Sequence, residues 1–259
     1  GIDMKPIKLI LDSLAIMSIS MLSSCKNLLP NKPTIPSDTK DLDISNKLLD
    51  FSNNEMSEIE ISQGYSSRGI VNVTWNKENV VFDNNLLHLY ITPNKENVGG
   101  TAYFGAQCRT SELYSYGDYG VSLKNLSEVG TKTSFFTYIG NDDNKAREGI
   151  EIIFSGSDPN IVTFNYYLKG NGEHKYSYDL NFDSSKEFHN YGFRWTSESI
   201  IYFVDEKPIY ITNKSPSNKA RIYLNNYTES NSIIGWIDKP SEEIKNDALV
   251  EWVSYKAID

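Results

Sequence analysis

After Leu48, apolar residues recur at every second position in one short stretch after another. The run "GIEIIF" shows the pattern: Ile150, Ile152 and Phe154 fall on one face, and Gly149, Glu151 and Ile153 on the other. A period of two is the mark of a strand with one buried face. The same pattern predicts strands at 70–75, 86–92, 119–124, 133–139, 161–168, 189–195, 199–205, 207–212, 221–227 and 248–255. Turn clusters such as "SGSDPN" at Ser155 and "KGNGE" at Lys169 separate them. Short strands at regular spacing predict an all-β fold, two antiparallel sheets packed face to face as a sandwich. One outer face is then free for a groove. No long amphipathic helix and no internal repeat is predicted.

The N-terminal region reads differently. Lys5 and Lys8 precede an apolar run from Leu9 to Leu22, a secretory signal pattern too short for a comfortable transmembrane span. "LSSC", Leu22 to Cys25, resembles the bacterial lipobox, in which the cysteine becomes the lipidated first residue. Asp12 departs from that pattern, and a plain signal peptide with an incidental Cys25 is the alternative. Residues 4–24 are thus expected to be a signal, with three residues before it. Residues 25–47, rich in Pro, Ser, Asn and Asp, are expected to be a tether, and 48–259 one folded domain. The predicted location is the bacterial cell envelope, through a lipid anchor.

Composition supports this outline. The 17 Tyr and 11 Phe favour β structure. A net charge of -9 excludes non-specific nucleic-acid binding. Two cysteines, Cys25 and Cys108, cannot build a disulfide framework or a Cys-based metal centre, and Cys108 reads as a buried thiol. His88, His174 and His189 are scattered and fit no triad or zinc pattern.

Seven stretches then fall in a recognisable order: "GYSSRGIVNVTW", "AQCRTSELYSYGDYGVSLK", "TSFFTYIG", "VTFNYYLKGNGEHK", "FDSSKEFHNYGFRW", "IIYFVDEKPIY" and "ALVEWVSY". Together, from about Phe51 to Tyr255, they resemble glycoside hydrolase family 16, above all the bacterial lichenases (β-1,3-1,4-glucanases). The resemblance implies a concanavalin A-like jelly roll with a sugar cleft on its concave face. The family's catalytic strand reads E-I-D-I-E-F, with the first Glu as nucleophile and the last as acid/base. Laid on this chain, those two positions hold Gly149 and Ile153, and the central Asp is Glu151. Retaining hydrolysis needs both carboxyl groups, one to attack and one to protonate the leaving oxygen. Gly149 and Ile153 supply neither.

A slipped register would pair Glu148 with Glu151, but three residues place two side chains on opposite faces unless a bulge intervenes. Asp142 and Asp143 lie just upstream. Glu151 itself reads equally well as a sugar hydrogen-bond acceptor or as an idle solvated carboxylate.

Sugars present apolar C–H faces and a rim of hydroxyls, so they are met by aromatic platforms and planar polar groups. The resemblance implies such roles for Asn72, Gln107 (where the family has Glu), Arg109, Phe136, Tyr138, Asn165, Tyr167, Asn225 and Tyr227 (where the family has Trp). Arg147 replaces the Trp that usually precedes the catalytic strand, and Val73 replaces a disulfide Cys. Glu251 matches an Asp that contributes to a structural calcium site in the family; no other cofactor is expected. The bland alternative is that these aromatics and amides persist only because they pack the sheet. The expected protein is a monomeric surface lipoprotein that binds β-glucan or a related polysaccharide without hydrolysing it. The alternatives are an enzyme working through substitute carboxylates, and a scaffold that binds no sugar.

Overall fold

The computed structural model describes residues 33–53, 59–66, 71–140, 147–172, 174–229, 244 and 247–258. Residues 4–24, expected to be a signal, and Cys25, Asp142 and Asp143 lie outside the described residues.

Two sheets form the domain. In the first, the strands run in the order Tyr176–Asp179, Ile161–Tyr167, Glu148–Ser155, Thr131–Ile139, Arg221–Thr228, Tyr103–Thr110, Ile59–Ile61. In the second, the order is Lys207–Thr212, Ile200–Val204, His189–Trp195, Gly117–Lys124, Ala248–Ala257, Leu86–Leu89, Val80–Asp83, and Lys47–Asp50 also pairs with Ala248–Ala257. Both ladders are antiparallel, while the short strand Val73–Trp75 runs parallel to the start of Tyr103–Thr110. Among the described residues, helical structure is confined to 3-10 turns. The sheets close on one core containing Ile150, Ile152, Phe154, Phe135, Phe164, Tyr119, Phe193 and Trp195, all buried. The alternation seen in the sequence is therefore the inside–outside alternation of the sandwich.

All the predicted strands are present. Reading alternation alone overlooked Tyr103–Thr110, a central strand whose inward side chains include the small Ala106 and Cys108. At Gly105 a Cβ would lie 2.9 Å from the Asn226 carbonyl oxygen, so the close approach there requires glycine. Cys108 is a buried free thiol, and burial pushes its pKa up to about 12.

Residues 40–44, within the segment expected to be a tether, pack against the second sheet. Leu42 is buried against Ile201 and Phe203. Gly120 and Gly192 pair across two strands of the second sheet and leave a trough without side chains on its outer surface. Leu42 and Ile44 fill that trough: a Cβ on Gly192 would meet Leu42 Cδ2 at 2.4 Å, and one on Gly120 would meet Ile44 Cγ2 at 2.9 Å. Arg194 fixes the segment through its hydrogen bonds to the carbonyl oxygens of Lys40 and Asp41.

Candidate functional site

The strand Glu148–Ser155 lies inside the first sheet in unbroken register with both neighbours. Its core face is Ile150, Ile152 and Phe154; its outer face is Gly149, Glu151 and Ile153. Pairing across the sheet converts that outer face into rows of side chains. One row runs Tyr167, Gly149, Tyr138, Arg221. The next runs Asn165, Glu151, Phe136, Tyr223, Arg109, Glu60. A third runs Thr163, Ile153, Ser134, Asn225, Gln107. Tyr227 follows beside Lys132. The fold thus gathers nine of the ten expected contact residues onto one face. Asn72 stands at its edge, where its backbone N–H donates to the Thr228 carbonyl and its side chain accepts from Ala102 N–H.

The middle row is the polar spine. Asn165 is fully buried and donates to Glu151 Oε2 at 3.0 Å, while its own Oδ1 accepts from His174 N–H at 3.3 Å. Phe136 and Tyr223 stack at 4.9 Å with 17° between their planes. Arg109 donates to the Tyr223 hydroxyl at 3.2 Å and to Glu60 at 2.9 Å. Tyr223 was missed in the sequence, although it alternates with Asn225 and Tyr227 in "RIYLNNY".

Gln107 uses both ends of its amide. It donates to Ser62 Oγ at 2.9 Å and to Tyr65 Oη at 3.2 Å, and accepts from Asn225 at 3.4 Å. A carboxylate could accept these bonds but not donate them, so Gln suits this network. Asn225 Oδ1 is buried without a partner among the described residues. Tyr227 is less open than expected of a platform. It is 9% exposed and packs edge-on against Trp75, and burial raises its hydroxyl pKa.

The fallback pair of carboxylates separates. No bulge interrupts the strand at Glu148, so Glu148 and Glu151 face opposite sides of the sheet. Glu148 is buried and accepts from Ser217 N–H, Asn218 N–H and the Asn218 side chain, each at 3.0 Å. It anchors a loop. Along the middle row the next described carboxylate after Glu151 is Glu60, four strands away, or roughly 19 Å at ordinary strand spacing. Two-carboxylate hydrolysis works across about 5–9.5 Å.

Burial lifts the Glu151 carboxyl above its ordinary value of 4.5; the Asn165 amide, the Arg147 and Lys175 cations and the Tyr167 hydroxyl oppose that rise. The folded protein then holds the Glu151 proton more tightly than the unfolded chain does. This contribution to stability is complete below about pH 4.5 and fades as pH rises through the folded-state value. Glu151→Gln is therefore expected to gain melting temperature relative to the parent as pH rises from the acid range to neutrality. A pH-independent difference would contradict the assignment.

Glu251, the expected calcium contact, lies on the second sheet and accepts a hydrogen bond from Ser122. Among the described residues no group of three His, Cys, Asp or Glu side chains is placed to hold a metal ion. The three histidines are far apart in role: His88 pairs with Asp247, His189 with Asp205, and His174 stacks on Tyr166.

Two stacked antiparallel sheets, one with an aromatic and amide-lined outer face, define a jelly-roll sandwich. The chain belongs to glycosyl hydrolases family 16, which it matches over residues 68–253. It is 32% identical to a β-glucanase of Acetivibrio thermocellus over 206 residues, which is 79% of this chain and 60% of that protein. A Paenibacillus macerans β-glucanase is 34% identical, over 76% of this chain and 81% of that protein. Among solved structures, a β-1,3-1,4-glucanase (lichenase) from a mouse hindgut metagenome superposes with a TM-score of 0.75 at 32% identity, covering 81% of this chain and 97% of that one. The chain thus spans only about three fifths of the length of the first of these relatives.

Proposed function

We propose that the domain binds a β-glucan or related polysaccharide on the outer face of its first sheet and does not cleave it by the family's two-carboxylate chemistry. The observation that carries this reading is the middle row, where Glu151 stands among amide and aromatic groups and the next described carboxylate, Glu60, lies four strands away. Gly149 and Ile153, where the motif puts the reacting acids, have no group that can attack or protonate. The buried, unpartnered Asn225 Oδ1 adds an acceptor that a sugar hydroxyl would satisfy. Asn72, Phe136 and Tyr138 are only half-buried, which leaves aromatic and amide surface for contact. Export and lipid attachment at Cys25, with a tether between Cys25 and the folded domain, complete the proposal. The polysaccharide would then be captured at the cell envelope.

Calorimetric titration with mixed-linkage β-glucan, laminarin and agar oligosaccharides tests the reading. Saturable binding is expected, weakened about tenfold by Phe136→Ala, the scale of one lost aromatic contact. Heat-silent titrations with every glycan would favour a scaffold that binds no sugar.

A further inference from the structure

We propose that Arg147 forms a subsite for an acidic sugar unit, one bearing a carboxylate or a sulfate ester; the proposal rests on the glycan-binding reading above. Arg147 lies two residues before Gly149, and therefore on the same side of the chain as Gly149 and Glu151. Tyr167 and Tyr138 are the cross-strand partners of Gly149. The Arg147 guanidinium carbon lies 3.8 Å from the Tyr167 ring centroid and 5.9 Å from that of Tyr138. It therefore bridges two rings that have only a glycine between them.

Two consequences follow. A neutral pyranose stacks its C–H face on an aromatic ring, and here the guanidinium covers Tyr167. This end of the face thus offers cationic N–H donors instead of a bare platform. The cation also differs from the other arginines of this face. Arg109 is paired with Glu60, and Arg221 donates to the carbonyl oxygens of Thr110 and Ser111 beside Glu60. Arg147 is in no ion pair among the described residues, and its Nε–H is buried without an acceptor. Glu151 attracts it, but the Glu151 hydrogen bonds come from Asn165 and Tyr167. Lys175 adds a second positive charge near Glu151. A planar guanidinium fork held against aromatic rings is suited to carboxylate and sulfate oxygens. The chain carries a net charge of -9, so this cationic spot is local and works against the overall field.

The test is calorimetry at low salt with three oligosaccharides of matched length: neutral mixed-linkage β-glucan, a hexuronate oligomer and a sulfated galactan oligomer. At least one acidic oligomer is expected to bind about tenfold or more tighter than the neutral one, the scale of a charge-assisted contact. The tighter of the two acids identifies carboxylate or sulfate. Arg147→Met is expected to abolish the preference and Arg147→Lys to restore part of it, with thermal unfolding confirming that each variant is folded. If Arg147→Met does not fold, the smaller preference of Arg147→Lys carries the test. Neutral glucan binding as tightly as both acids, or a preference that survives the substitution, overturns the subsite and leaves the glycan-binding reading intact. No binding of any of the three overturns both.

Discussion

Asp118→Ala is expected to lower the unfolding free energy by about 3–5 kcal/mol, the usual cost of stripping one partner from a buried ion pair. The Asp118 side chain is 3% exposed and that of Arg194 19%. The pair is bidentate: Arg194 Nε meets Asp118 Oδ1 and Arg194 Nη2 meets Oδ2, both at 2.7 Å. Asp118 Oδ2 also accepts from Asp43 N–H at 2.9 Å. Removing the carboxylate leaves a guanidinium enclosed without its counter-charge and releases Asp43. Because the same guanidinium holds the Lys40 and Asp41 carbonyls, the segment packed on Gly120 and Gly192 should loosen as well. Thermal unfolding reads the first effect, and faster amide exchange over residues 41–46 the second. The double variant Asp118→Ala with Arg194→Met should be less destabilised than the sum of the single changes, since it leaves no orphaned charge. Strict additivity would mean that the two residues do not act as a pair.

This segment marks where reading the sequence stopped short. "DTKDLDISNK" holds only two apolar residues, Leu42 and Ile44, and by composition it is a linker. What docks it is non-local: a trough made by two glycines about seventy residues apart in the chain, an arginine fork, and ion pairs of Asp41 with Lys207 and Asp43 with Lys256. None of these has a local periodicity. The sandwich, by contrast, was legible because its core face repeats every second residue in "GIEIIF" and its counterparts. The candidate face followed from the same parity, since fixing Ile150, Ile152 and Phe154 inside fixes Gly149, Glu151 and Ile153 outside. Parity does not say what a side chain meets. It did not show that Glu148 anchors Ser217 and Asn218, that Tyr223 links Phe136 to Arg109, or that Arg147 lies over Tyr167.

Mixed-linkage β-glucan incubated with the parent chain should release reducing ends slower than with a family glucanase by a factor on the order of a million, the scale reached when a hydrolase loses a reacting group. Writing the acids back should not close that gap, and the reason is steric. A Cβ on Gly149 would lie 2.2 Å from the Thr137 carbonyl oxygen, which belongs to the adjacent strand backbone. The Ile150 N–H donates to the Thr137 side chain at 3.1 Å, tying the two strands together at that point. Ordinarily Gly→Ala in a compatible strand position stabilises by about 0.4–1 kcal/mol through the unfolded chain. Here Gly149→Ala is expected to destabilise by about 1–3 kcal/mol, as overpacking does, so the sign of the change is itself the test. The triple variant Gly149→Glu, Glu151→Asp, Ile153→Glu carries the same clash. Any carboxyl at 149 must displace Thr137 and Tyr138, and with them the ring that flanks Arg147. Reducing-sugar assays on the triple variant should stay at the level of the parent. A triple variant that melts with the parent and cleaves glucan at family rates would show that the neighbouring strand gives way freely, and that only three side chains separate this face from a working glucanase.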